Sequence, residues 1–170
     1  MTAQKLEVHP FGAFVPRNIK VLIVGSFPGK EQTQGAIDES QWFYGAPRNQ
    51  LWKILEIVYK TELTSRKQKQ ELFEKEGIGI ADIIKSCVRL GGTNLDENLE
   101  IKEYNKEMIA AILKQYHPKV LFTSRFVEKE FKKLFPDHDD ADILPSPSPR
   151  YFKLSIADKA KVYKEKLPKS

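Results

Sequence analysis

The segment Val21-Leu22-Ile23-Val24-Gly25-Ser26-Phe27-Pro28-Gly29 decides how the chain is read, and Trp42-Phe43-Tyr44-Gly45-Ala46-Pro47-Arg48-Asn49-Gln50-Leu51-Trp52 extends that reading. Val21 to Val24 form a short, uninterrupted apolar run, the pattern of a strand covered on both faces in a parallel sheet. Two glycines and a proline then stop the strand and let the backbone turn tightly and approach a ligand closely. In open α/β sheets, sites lie beside the carboxyl ends of buried strands. The following segment carries three rings, a cation and an amide, groups suited to holding a nucleobase beside its phosphate.

Working outward, strands alternate with helices. The first strand is expected at about 19–25, after an extended lead-in over 1–18 whose Phe11 and Phe14 tuck against the body. Residues 26–47 read as a long functional loop. Helical spacing of Leu51, Trp52, Leu55 and Val58 predicts a helix over 49–60, and a polar helix follows over 65–76. Gly77–Ile84 is a second buried strand, 89–98 a turn-rich loop, 103–115 a helix, 119–124 a third strand and 126–135 a helix. A short fourth strand at Ile143-Leu144 opens into Pro145-Ser146-Pro147-Ser148-Pro149-Arg150-Tyr151, and a helix over 155–166 ends the chain. The alternation implies an α/β fold: a single three-layer domain over 1–170 with a central four-stranded parallel sheet flanked by helices. Loops after strands one, two and four then gather at one rim, around a single slot at the carboxyl edge of the sheet.

Composition narrows the function classes. The 170 residues suffice for one domain with a full core. No apolar run is long enough to span a bilayer and no signal-peptide pattern opens the chain, so no membrane partner is expected. The single cysteine, Cys87, excludes an internal disulfide and fits a reducing cytoplasm; it reads as a small buried apolar residue. The net charge of +5 permits an anionic partner without requiring one. His9, His117 and His138 lack metal-ligand spacing, so no metal is expected.

Individual motifs stay ambiguous. Gly25–Lys30 fails the phosphate-loop spacing, and no dinucleotide fingerprint is present. Asn49 alone reads as a helix cap. Asp82, an acid in a buried strand, is costly unless paired or functional, and the two readings balance. Three consecutive rings at Trp42, Phe43 and Tyr44 cannot all point inward from an extended loop, so at least one is expected to face the cleft. The proline-rich segment offers a stiff, donor-poor backbone tipped with Ser146, Ser148, Arg150 and Tyr151.

Taken in order, five segments resemble the uracil-DNA glycosylase superfamily, closest to its hypoxanthine-DNA glycosylase-like branch. They are Gly25–Gly29, Phe43–Trp52, Gly77–Asp82, Ser86–Asp96 and Leu144–Pro149. The resemblance implies hydrolysis of the N-glycosidic bond of a deaminated base, uracil or hypoxanthine, in DNA by a monofunctional glycosylase acting as a monomer without cofactor. The iron–sulfur cluster of some relatives is not available to a chain with one cysteine. Many relatives place a water-activating Asp or Asn in the first motif, where this chain has Phe27, and a His at the head of the last, where it has Leu144. In the hypoxanthine-like branch the catalytic amide comes from the Arg-Asn segment, which is Asn49 here.

The roles carried over are then as follows. Asn49 positions the attacking water. Gly25, Ser26, Phe27, Phe43, Tyr44 and Asp82 form the base pocket, with Phe43 or Tyr44 stacking on the base and Asp82 accepting from its ring N–H. Arg48, Ser146, Ser148, Arg150 and Tyr151 contact DNA, with Tyr151 or Arg150 filling the gap left by the flipped base. The alternative is a lesion-binding protein that kept the fold and lost catalysis. A nucleotide-handling enzyme is disfavoured by the failed phosphate motifs.

Overall fold

The computed structural model describes residues 5–34, 40–91 and 94–170. Its centre is a five-stranded sheet built from β2 (Ala13–Phe14), β3 (Val21–Gly25), β4 (Ile78–Asp82), β7 (Lys119–Phe122) and β8 (Ala141–Ile143). The order is β2-β4-β3-β7-β8. β4, β3, β7 and β8 run parallel, and β2 pairs antiparallel with β4. The expected four-stranded parallel sheet is therefore corrected to a mixed sheet that contains four parallel strands. A second, antiparallel sheet joins β1 (Leu6–Val8), β5 (Ile84–Arg89) and β6 (Leu99–Tyr104) in the order β1-β5-β6.

Alternation along β3 explains the layers. Val21 and Ile23 point to one face, where they pack with Ile78, Ile80 and Leu121 of the sheet. That face is covered by α2 (Leu51–Tyr59), α3 (Arg66–Glu76) and α6 (Ile156–Lys166) through Leu51, Ile54, Leu55, Phe73 and Tyr163. Leu22 and Val24 point to the other face. It is covered by α4 (Lys106–Tyr116) and α5 (Arg125–Leu134) through Ile109, Ile112, Val127 and Phe131. A strand buried on both faces needs an unbroken apolar run, and β3 has one.

Local chemistry sets the helix ends. Ser65 and Gln68 form a capping box at α3, and Ser124 and Ser155 accept from the N–H groups of Val127 and Asp158 at α5 and α6. Gly77 takes φ +77° to end α3, and a Cβ there would meet the Asn18 carbonyl.

Three sequence expectations change. The lead-in over 1–18 is not merely extended: it contributes β1 to one sheet and β2 to the other. The 26–47 loop contains the short helix α1 (Lys30–Gln34), and residues 35–39 lie outside the described residues. The turn-rich stretch 89–98 sits between two paired strands, because β5 and β6 form a ladder from Ile84↔Tyr104 to Arg89↔Leu99. No helix among the described residues is long and apolar enough to cross a membrane.

Candidate active site

The four parallel strands end at Gly25, Asp82, Phe122 and Ile143, and the loops beyond them form one rim. Asp82 closes β4 directly opposite Gly25 in the β3–β4 register. Its side chain is 7% exposed and Oδ2 lies 2.6 Å from Nε2 of His9. The imidazole is ringed by Phe11, Phe27 and Phe43, with centroids 6.0, 5.8 and 5.3 Å away. Gly25 leaves the space that this arrangement needs. A Cβ on it would lie 2.1 Å from the Tyr44 hydroxyl and 2.5 Å from Asp82 Oδ1.

The aromatic run folds inward more completely than an extended loop allows. Trp42 and Phe43 are buried and Tyr44 is half-buried. Trp42 stacks on Trp52, and Trp52 Nε1 donates to the Phe43 carbonyl at 2.8 Å, which fastens this loop to α2. Tyr44 adopts φ +55°, a left-handed backbone uncommon for a non-glycine residue. Its hydroxyl donates to Thr123 Oγ1 at 2.9 Å. Burial, then the neighbouring Asp82 charge, pushes the phenol well above the ordinary tyrosine value, so it stays a neutral donor. Of the three rings, Trp42 and Phe43 turn into the core, while Tyr44 stays half-buried at the rim.

The Gly25–Gly29 turn is held from outside. Ile83 and Ile84 donate their N–H groups to the carbonyls of Gly25 and Ser26, and Ser26 Oγ donates to Asp96 Oδ1 at 2.7 Å. Burial raises the Asp96 carboxyl above its ordinary value; the Ser26 hydroxyl opposes that shift and the Asp82 charge adds to it. Arg89 donates to the Pro28 carbonyl at 3.0 Å and pairs with Glu7 at 3.1 Å, both side chains nearly sealed. Burial alone would raise the Glu7 carboxyl. Hydrogen bonds from Arg89, Thr33 and Gln34, with the Arg89 charge, reverse this and hold it below the usual glutamate value.

A second group of residues lines a cleft of about 550 Å³ on the same rim. Ser146, Ser148, Arg150 and Tyr151 border it together with Arg125 and Lys166. The proline-rich backbone supplies carbonyls but few N–H donors, and donors from elsewhere meet them. Tyr163 reaches the Pro145 carbonyl at 2.6 Å, Gln50 N–H the Pro147 carbonyl at 2.8 Å and Lys159 Nζ the Ser148 carbonyl at 3.2 Å. Ser146 Oγ accepts from Ser148 N–H and Ser148 Oγ from Arg150 N–H. Each hydroxyl accepts in these contacts, and its own O–H has no acceptor among the described residues. Tyr151 is packed against Lys159, whose Nζ lies 5.3 Å from the ring centroid, while Phe152 beside it is 86% exposed.

The expected single slot is thus two neighbouring groups. The cleft lining does not include Asp82, Phe43 or Asn49. Tyr44 spans the groups through Thr123, and Gln50 spans them through Pro147. Asn49 sits just before α2, where its Oδ1 accepts from Leu51 N–H at 2.9 Å; this is the capping contact its sequence position suggests, although Gln50 occupies the N-cap position itself. Arg48 is exposed on the same segment.

The family model for the uracil DNA glycosylase superfamily matches residues 11–167. The chain belongs to the uracil DNA glycosylase superfamily. Its members are DNA glycosylases, hydrolases acting on damaged bases in DNA. The fold is similar to the solution NMR structure of a "putative Uracil DNA glycosylase" from Methanosarcina acetivorans, with TM-score 0.71 and 20% identity over 95% of this chain and 98% of that one. No curated protein matches the sequence.

Among superfamily features, Phe27 packs edge-on to His9 and offers no polar group, and Leu144 is buried with its N–H on the Phe122 carbonyl. Neither side chain can act as the acid or the imidazole that the resemblance leads one to expect at those positions. His9, Thr123, Asp96 and the Glu7–Arg89 pair were not singled out by sequence reasoning. The only signal was that Arg89 and Asp96 lie in a segment already matched to the superfamily; His9 carried none. Among the described residues no cluster of His, Cys, Asp or Glu could hold a metal ion.

Proposed function

We propose that the chain is a monofunctional DNA glycosylase of the hypoxanthine-like branch. It extrudes uracil or hypoxanthine and hydrolyses its N-glycosidic bond. The observation that carries this reading is Asp82: a nearly buried carboxylate at the end of β4, with Oδ2 held by His9 and Oδ1 without a hydrogen-bond partner among the described residues. A carboxylate accepts from a ring N–H, which both uracil and hypoxanthine carry. Extrusion costs a few kcal/mol and is cheapest for mispaired bases.

The chain's own groups supply the steps. Arg48, Arg150 and the outward O–H groups of Ser146 and Ser148 hold phosphates. Phe152, more than Tyr151, is free to enter the base stack, because Lys159 already covers Tyr151. Tyr44, half-buried where Phe43 is sealed in the core, stacks on the base. Asn49 orients the water through Nδ2 or the second lone pair of Oδ1, since the first is engaged by Leu51. As the bond breaks the base gains negative charge. The N–H groups of Phe27 and Gly29 have no partner among the described residues and support its stabilisation.

The test is a panel of oligonucleotides carrying uracil, hypoxanthine, xanthine or mismatched thymine, followed by alkaline cleavage. Release of uracil or hypoxanthine, lowered about a hundredfold or more in Asn49→Ala, is expected. Undiminished release by that variant removes Asn49 from the mechanism. The apolar residues at Phe27 and Leu144 favour a second reading, lesion binding without catalysis. A gel shift with no abasic product selects it.

A further inference from the structure

His9 has no part in the steps above, yet it makes the shortest contact to the acid at their centre. It lies between β1 and β2, and its backbone N–H donates to the Lys85 carbonyl at 2.8 Å. The side chain is 2% exposed, so its position is set by packing against three phenylalanine rings. Nδ1 accepts the N–H of Phe11 at 3.1 Å. A ring nitrogen that accepts an N–H carries no proton itself, so the neutral imidazole holds its proton on Nε2, aimed at Asp82 Oδ2 2.6 Å away. The backbone thereby selects the tautomer. Asp82 Oδ1, in contrast, has no hydrogen-bond partner among the described residues; it lies over Gly25 on the side of the carboxylate where the Tyr44 hydroxyl also lies.

We propose that His9 is a positioning residue that sets base specificity: it clamps Asp82 Oδ2 through a fixed Nε2–H, so that Oδ1 alone, as an acceptor, meets the extruded base. An acceptor so placed favours a base whose ring nitrogen bears a proton, as in uracil and hypoxanthine. It disfavours a base whose corresponding nitrogen is a bare acceptor, as in cytosine and adenine. The assignment rests on the proposed reading of Asp82 as the residue that meets the base.

Two variants separate the clamp from simple packing. His9→Phe keeps a ring among Phe11, Phe27 and Phe43 and removes the donor; His9→Gln restores an N–H near the position of Nε2. Affinity is measured by fluorescence anisotropy for duplexes carrying 2′-fluorinated uridine, which resists glycosidic cleavage, with and without a methyl group on N3. The unmodified protein is expected to prefer the unmethylated base about tenfold or more. The preference should collapse in His9→Phe and return in part in His9→Gln. Histidine side-chain ¹⁵N spectra of the unmodified protein should show His9 protonated on Nε2 alone.

An unchanged preference in folded His9→Phe, no preference in the unmodified protein, or a proton on Nδ1 overturns the proposal. If His9→Phe does not fold, the spectrum and the His9→Gln ratio decide: a Nδ1 proton, or a His9→Gln ratio near unity, overturns it. Binding needs no bond cleavage, so the two readings fail separately. A protein that releases no base but shows the His9-dependent preference keeps the clamp and loses the enzyme. One that releases base with the preference unmoved in His9→Phe does the reverse.

Discussion

The Tyr44 hydroxyl and the Thr123 hydroxyl meet at 2.9 Å across the ends of two parallel strands, directly above the bare Cα of Gly25. That contact joins the Asp82 side of the rim to the proline-rich side. It exists because three unusual choices coincide: a glycine, a left-handed tyrosine and a threonine just past β7.

Gly25→Ala should therefore be disruptive. Its Cβ would overlap both the Tyr44 hydroxyl and Asp82 Oδ1. We expect a loss of ~1–3 kcal/mol in chemical denaturation, the usual cost of overpacking. Adding Tyr44→Ala should recover part of that loss, because it removes the nearer clash. Simple additivity of the two changes in a double-mutant cycle would contradict this account.

The Glu7–Arg89 pair predicts an acid sensitivity with a definite sign. The folded-state value of Glu7 lies below its ordinary 4.5. Its contribution to stability is thus fully present above that ordinary value and is lost as pH falls through the lower folded one. Thermal melts of the unmodified protein and Glu7→Gln should differ at pH 7 and converge on acidification. A gap that persists at low pH would refute the assignment.

Cys87 should be chemically silent in the native state. Burial pushes its thiol up to about 11. At pH 8 its thiolate fraction is then roughly a hundredfold or more below that of a free cysteine. Iodoacetamide labelling followed by mass spectrometry should show modification in denaturant and almost none without it.

Arg150 and Phe152 should affect DNA binding in different ways. Removing one phosphate contact with Arg150→Ala should reduce the slope of log affinity against log salt by about one. Phe152→Ala removes an exposed ring and no charge, so it should weaken binding with the slope unchanged. Anisotropy titrations over a salt series measure both. A slope change in Phe152→Ala would argue against its role as a wedge.

Much of the fold is legible locally. Val21–Val24 announce a strand buried on both faces, and the structure divides them between two cores as alternation requires. The helices from Leu51 onward follow apolar spacing, and serines cap α3, α5 and α6. The proline-rich segment lies beyond β8 and borders a cleft on the rim. The second sheet is not legible because β1 has only three residues, and β5 and β6 interleave charged residues (Lys85, Arg89, Glu100, Lys102, Glu103) where a buried strand would show an apolar run. Trp42 and Phe43 are both buried because Trp52 stacks on the first ring and donates to the backbone carbonyl of the second residue, contacts with α2 that no rule about an extended chain contains.

Periodicity and turn chemistry act over a few residues, and such short-range preferences suffice to place the buried strands, the amphipathic helices and the rim loops. The pairing of His9 with Asp82, 73 residues apart, has no local signature. Nor has Ser26 with Asp96, or Glu7 with Arg89. Those partners meet because strand register and the packing of two sheets carry distant backbone to the same point. The polar side chains there are then bound to find donors and acceptors in one another, since burial makes an unpaired group costly.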